Sequence, residues 1–465
     1  MTRANSYFFC GIGGSGMLPL ATILRAQGHA VAGSDRSLDQ GRLGGKFAFL
    51  EAQGIGLYPQ DGSGVTSADQ ILVTSAAIEE TVPDVAAARA VGARRMTRPQ
   101  LLAQLFNAAE TGIAVGGTSG KSTVTGMIGW ILHALGRDPT VMNGAVMKNF
   151  AQGDTPFASA LTGSGDVFVS EVDESDGSIA LYRPAVAVLN NITLDHKSMD
   201  ELRGLFLDFV LKADRAVLNR DDPETAMIAA SIPDGRVKTY SLSEAGADLH
   251  AANIREGRFA ISFDATLTDT RETVHVALQV PGRHNASNAL AAMLAVHAAG
   301  VPLAEAAHAL AGFQGLKRRF EQVGEKNGIG VIDDFGHNPD KIAATLATLH
   351  AFPGRLLLFF QPHGYGPLKV MGDALIDTFA SRMTAEDRLI LTDPVYFGGT
   401  VDRSVGSADI VAGIAARGAR AEHVPDREAA GDRIAALARP GDRIVVMGAR
   451  DDTLSAFAAG LLDRL

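Results

Sequence analysis

The sequence predicts an α/β protein of three domains. Short apolar runs alternate with helical patterns over most of the chain, and three separate strand–loop–helix starts occur. The length of 465 residues fits about three domains at roughly 150 residues each. Hydrophobic residues make up 46% and charged residues 20%, a balance that excludes disorder and fibrous repeats. The single cysteine, Cys10, excludes an intramolecular disulfide framework and suits a reducing compartment. The formal net charge of -10 speaks against a nucleic-acid partner, which needs a basic field. No apolar run reaches membrane-spanning length, and the N-terminal stretch lacks a secretory pattern. The expected location is the cytoplasm, with no membrane partner.

The first start is a strand at Tyr7–Cys10 followed by a helix over 15–27, stopped by Gly28. Further strands are expected at Ala30–Ala32 and Gln70–Thr74. A second start runs through the strand Gly112–Gly116, a glycine turn and a helix from Lys121. A third runs from Gly328–Asp333 into a helix from Pro339, then a buried-type strand at Leu356–Phe360. The chain closes with a strand at Asp442–Met447. Period-two alternation between about residues 245 and 280 predicts an antiparallel piece in the middle domain. Domains are expected at 1–107, 108–314 and 315–465.

Gly11-Ile-Gly13-Gly14-Ser15-Gly16 fits G-x-G-x-x-G after a strand and at a helix start, and Asp35 ends the next strand. Taken alone, this pattern reads as a diphosphate held on backbone N–H groups at a helix N-terminus. The bland alternative is a tight turn without a ligand. Gly116-Gly117-Thr118-Ser119-Gly120-Lys121-Ser122-Thr123 is sharper. Lys121 can reach β- and γ-phosphates and Ser122 can ligate a metal. Val115 stands where the strict motif has glycine.

Glu171-Val-Asp173-Glu174-Ser-Asp176 leaves the end of the strand Val167–Ser170, where parallel sheets bind ligands. Its hard oxygen donors suit Mg²⁺. Asp195-His196 follows the strand Ala185–Asn190 at the same sheet edge. His284, Asn285 and Asn288 are expected to share one face of an alanine-rich helix. Lys317-Arg318-Arg319 is a basic cluster suited to phosphate or carboxylate, and Asp333-Asp334, His337 and His363 lie in polar loops after strands of the third domain.

These ordered motifs resemble the Mur ligases, ATP-dependent amino-acid ligases of peptidoglycan precursor synthesis, along the whole chain. The glycine-short phosphate loop is also that family's form. The resemblance implies a Rossmann-like N-terminal domain for a UDP-sugar, a central P-loop ATPase domain with a parallel sheet, and a Rossmann-like C-terminal domain. It turns the first glycine loop from a dinucleotide site into a UDP-sugar site, with Gly11, Gly13, Gly14, Ser15, Gly16, Asp35 and Ser75. It assigns ATP to Gly117, Thr118, Ser119, Gly120, Lys121, Ser122, Thr123, Asn285, Asn288, Arg319 and Asp334. Ser122, Glu171 and His196 would hold the metal. Lys121, Glu171, His196 and Arg319 would carry the chemistry. The cofactors implied are ATP and Mg²⁺.

The partners implied are UDP-N-acetylmuramate and an amino acid, L-alanine by the nearest branch, on a monomer or homodimer. A carbamylated lysine used by some branches has no counterpart, since the matching position falls near Phe206. Alanine-adding members carry arginines around their Gln-Pro-His loop, where this chain has Gly364 and Pro367, with Lys369 following. His337, His363 and Lys369 are therefore the expected acceptor contacts, and weak selection of L-alanine is expected. Rival readings are a ligase that recycles a tripeptide, a paralogue with another amine, a catalytically silent nucleotide-binding regulator, and an NAD oxidoreductase. The last leaves the second phosphate loop unexplained. Accordingly, NAD and NADP are expected to show no saturable binding at micromolar levels in calorimetric titration; tight binding would restore the oxidoreductase reading.

Overall fold

The computed structural model describes residues 4–76, 78–151, 153, 155–194, 197–233, 235–395, 402–449, 451 and 453–465. Three sheets organise the chain. The first has five parallel strands with Ser6–Cys10 at its centre, flanked by Ala30–Ser34 and Gln70–Thr74. Its central strand is buried along nearly its whole length, as a parallel sheet covered on both faces requires. The helix that follows, Met17–Ala26, begins two residues later than the pattern suggested, because Gly14 and Gly16 remain in the loop.

The second sheet has ten strands. Thr111–Gly116 lies between Val186–Leu189 and Val167–Glu171, all parallel, with Val115 level with both Val188 and Glu171. Three loops therefore leave the sheet side by side at its C-terminal edge. At the far side, Leu249–Glu256, Ile261–Leu267 and Glu272–Leu278 form the expected antiparallel piece. The alternating burial of Ile261–Leu267 is the period-two signal made physical.

The third sheet has six strands, with Arg443–Gly448 between Ile329–Asp334 and Leu356–Gln361. These three strands are buried along their whole length, and helices such as Pro339–His350 and Tyr365–Arg382 cover the sheet.

By contacts the chain forms two compact units. One holds the first two sheets, through Gly315; the other comprises Leu316–Leu465 with two short pieces, Gly257–Phe259 and Val280–Gly282. The first two sheets share one continuous apolar core, running from Tyr7 to Ile232. Phe106 packs edge-on against Phe168 and Tyr182, with ring centroids 5.7 and 5.1 Å apart. Asn107 Nδ2 donates to Leu181 O, and Arg183 N donates to Asn107 Oδ1. Phe206, fully buried in this core, is a packing residue.

The strands Ser6–Cys10 and Ala30–Ser34 approach so closely that a Cβ on Gly33 would lie 2.6 Å from Phe9 O. Backbone cannot give way there as a flexible side chain could. Gly33→Ala is therefore expected to destabilise this unit by about 1–3 kcal/mol, read as a lowered Tm in calorimetry. An unchanged Tm would show that the strand pair can open.

Candidate active site at two glycine loops

The phosphate loop is pinned from the neighbouring strand end. Thr118 N donates to Asn191 O at 3.1 Å, and Ser119 N donates to Asn191 Oδ1 at 2.8 Å. Asn191 Nδ2 donates back to Ser119 O at 3.2 Å, and Thr193 N donates to Thr118 Oγ1 at 3.0 Å. Gly120 has φ +84°, and a Cβ there would meet Asn288 Oδ1 at 2.7 Å and Asn190 Nδ2 at 2.8 Å. Only glycine fits both the conformation and the space. Asn288 stands against the loop backbone at Gly120 and is joined to Asn285 by a bond from Asn288 Nδ2 to Asn285 Oδ1 at 3.2 Å. His284 is exposed rather than sharing that face with the buried Asn285.

The acidic loop meets the Lys121-Ser122 pair. Ser122 Oγ donates to Glu171 Oε2 at 2.7 Å. Lys121 Nζ donates to Gly117 O at 2.6 Å and to both Glu174 oxygens, at 3.0 and 3.3 Å. Asn143 Nδ2 donates to Ser122 O at 2.9 Å, holding the first turn of the helix. Gly144 completes this wall: a Cβ there would stand 1.9 Å from Glu171 Oε1. Burial pushes the Asp173 carboxyl up, but bonds from Ser175 and the charges of Lys121 and Arg98 bring it below the ordinary carboxylate value. Asp195 and His196 lie outside the described residues.

The first glycine loop opens on the same space. A cavity of about 320 Å³ is lined by Ser15, Gly16, Arg98, Lys121, Asn143 and Glu171, among others. Arg98 packs its side chain over Gly16 and lies 3.7 Å from Asp176. Asp35 is buried, and its carboxylate holds the first loop itself, accepting from Gly13 N at 2.9 Å and Ser37 N at 2.7 Å. Gly11 turns at φ +84° and Gly14 N closes onto Gly11 O. Ser75 is exposed, one residue past the strand Gln70–Thr74 that neighbours Ser6–Cys10.

In the other unit, Asp334 likewise shapes its own loop, accepting from Phe320 N, Gly336 N and Thr345 Oγ1. Arg319 lies over the Phe335 ring at 4.3 Å. His337 and His363 meet edge to face with ring centroids 5.1 Å apart, so two of the expected acceptor contacts come together. Lys369 is half exposed and paired with Asp402.

Comparison with known proteins follows this geometry along its whole length. Residues 6–110 match the Mur ligase family catalytic domain, 115–296 the Mur ligase middle domain, and 318–450 the Mur ligase glutamate ligase domain. A relative in Jannaschia sp., UDP-N-acetylmuramate–L-alanine ligase, is 35% identical over 480 aligned residues, covering 100% of this chain and 96% of that one. The chain belongs to the Mur ligase family. Among solved structures, the UDP-N-acetylmuramate–alanine ligase of Thermotoga maritima shares the fold at TM-score 0.78 and 24% identity, covering 99% of this chain and 98% of that one. A murein peptide ligase of Psychrobacter arcticus matches at TM-score 0.72 and 25% identity, with 99% and 98% covered.

Mur ligases are ATP-dependent, and the phosphate loop has the shape that requires. For a divalent cation, Ser122 Oγ and Glu171 Oε2 form a close pair of hard oxygen donors, which suits Mg²⁺. Among the described residues, no group of three or more His, Cys, Asp or Glu gathers around one point. Three residues that shape this site were not singled out by sequence reasoning: Arg98, Gly144 and Asn191; Glu174 entered only as part of the acidic loop. Asn191 carried a usable signal, a polar residue directly after a buried strand. Arg98 and Gly144 carried none, since each acts only through a neighbour distant in sequence.

His337 is held uncharged. Burial pushes its pKa down to about 3, and the charge of Lys341 adds to this. Its folded value lies below the ordinary 6.5, so stability is present above that pH and is lost as pH falls from there toward 3. The His337 ring protons should show no NMR titration between about pH 5 and 8; a midpoint near the ordinary value would contradict this environment.

Proposed function

We propose that this chain is an ADP-forming ligase that joins the carboxylate of UDP-N-acetylmuramate to L-alanine for peptidoglycan precursor synthesis. The observation that carries the reading is one cavity lined by the first glycine loop, Lys121 and Glu171 together. A UDP-sugar diphosphate at the Ser15–Gly16 end of the first glycine loop, which lines the cavity, would extend its acid toward the Lys121-Ser122 loop. The likeness in sequence to an alanine-adding ligase over the full chain supports the amine.

The chemistry runs in two steps. The sugar carboxylate attacks the γ-phosphorus of ATP, forming an acyl–O–P bond as the β,γ-bridge breaks and ADP leaves. The amine then attacks the acyl carbon, phosphate departs and the nitrogen gives up a proton. Negative charge gathers on the transferred group in the first step. Lys121 and the N–H of Gly120, at the start of the helix, stabilise it. Mg²⁺ held by Ser122 and Glu171, with His196 as the third ligand, would neutralise the phosphate oxygens. The family resemblance assigns Arg319 and Asp334 to ATP and His337 and His363 to the amine; all four belong to the unit Leu316–Leu465. The domains divide at 107/108 and 314/315. The enzyme works in the cytoplasm as a monomer or homodimer, with no nucleic-acid partner.

Amine selection is the point where this chain departs from the family pattern that the resemblance implies. Gly364 and Pro367 offer no side-chain donor for an α-carboxylate, and an arginine fork there contributes about 1.5–3 kcal/mol. Lys369, committed to Asp402, is a poor replacement. Incubation with ATP, Mg²⁺ and UDP-N-acetylmuramate should release ADP and phosphate on addition of L-alanine, with a raised KM. Lys121→Ala should lose several orders of magnitude in rate while keeping UDP-sugar binding. AMP and pyrophosphate as products would refute the mechanism, and a tight L-alanine KM would refute the weak selection.

A further inference from the structure

Glu174 is the least exposed carboxylate of the acidic loop, at 4%. Its two oxygens are both within 3.3 Å of Lys121 Nζ. Lys121 also donates to Gly117 O, so the ammonium is held from the loop backbone and from the acidic loop at once. Ser122 is tied in the same way to Glu171, three residues before Glu174. Lys121 and Ser122 are thus each bonded to a carboxylate of their own.

We propose that Glu174 is a positioning residue that holds Lys121 in place and competes with the terminal phosphates of the nucleotide for it. The idea rests on the ATP-binding reading of the loop given above. The physical reason is the cost of parting a buried pair. When the phosphates take Lys121, the Glu174 carboxylate keeps its burial and loses its counter-charge, which is strongly unfavourable. Part of the nucleotide's binding free energy is consumed in this exchange. The consequence is weaker grip on ATP and ADP, and faster release of ADP after the chemical steps. In return, Lys121 is kept in one orientation, since a free lysine samples many rotamers.

The test is titration calorimetry with ADP and with ATP, together with steady-state kinetics. Glu174→Gln keeps the shape and removes the charge. It should bind ADP on the order of tenfold more tightly and lower the KM for ATP. Its kcat should fall, because ADP leaves more slowly and Lys121 is less well oriented. A purely structural role would instead lower Tm and weaken all ligands together. In a Lys121→Ala background, Glu174→Gln should leave ADP affinity unchanged, because the competition no longer exists. Glu174→Asp keeps the charge at shorter reach and should give a smaller gain, about threefold; it serves if the Gln variant does not fold. ADP affinity that is unchanged or weaker in Glu174→Gln, or a gain that persists without Lys121, would overturn the proposal. Failure of the unmodified enzyme to bind ATP or ADP at all would instead overturn the ATP-binding reading.

Discussion

The phosphate loop depends on one side-chain amide. Asn191 accepts from Ser119 N, donates to Ser119 O, and through its own carbonyl accepts from Thr118 N. A loop of this kind works by pointing backbone N–H groups at an anion, and such groups are useful only if their direction is fixed in advance. Asn191 takes up the N–H groups of Thr118 and Ser119 and so fixes the direction of those that follow, from outside the loop at the end of the strand Val186–Leu189. Asn190 extends the support, donating to Ser119 O and accepting from the buried Tyr240 hydroxyl. The loop is therefore an outgrowth of the central parallel sheet, and its geometry is inherited from strand register.

Carboxylates in this chain divide by what they hold. Asp35 and Asp334 both follow strands and both look like ligand contacts in sequence. Each spends its oxygens on nearby backbone N–H groups, so each builds the shape of a loop. Any contact they make with a ligand comes through the loop they stabilise. Glu171 and Glu174 differ: their partners are the hydroxyl and ammonium of Ser122 and Lys121. Bonds of that kind can be exchanged for phosphate or metal, whereas losing an internal backbone acceptor would leave a donor unsatisfied.

Close approach is the second constraint. Gly144 lets Glu171 sit against the strand-end loop, and Gly120 lets Asn288 and Asn190 reach the phosphate loop. These glycines come from segments far apart in the chain. Together they bring three loops within hydrogen-bonding distance at one sheet edge. The apolar core shared by the first two sheets carries the first glycine loop to that edge.

Much of the fold was legible in sequence, because hydrophobic period and glycine placement report local structure directly. The runs at Tyr7–Cys10, Gly112–Gly116 and Leu356–Phe360 became buried strands, and the alternation after residue 245 became an antiparallel piece. The phosphate loop, its lysine and the acidic loop were legible too, since each is a contiguous motif on a strand end. What the tertiary structure alone decided is which group meets which. Within one acidic loop it sent Glu171 to Ser122 and Glu174 to Lys121, and it brought Arg98 over Gly16. It paired Lys369 with Asp402. Motifs name the residue types a reaction needs, because local spacing sets local conformation. Partners separated by about thirty residues or more are chosen by strand order and packing, which no local pattern contains.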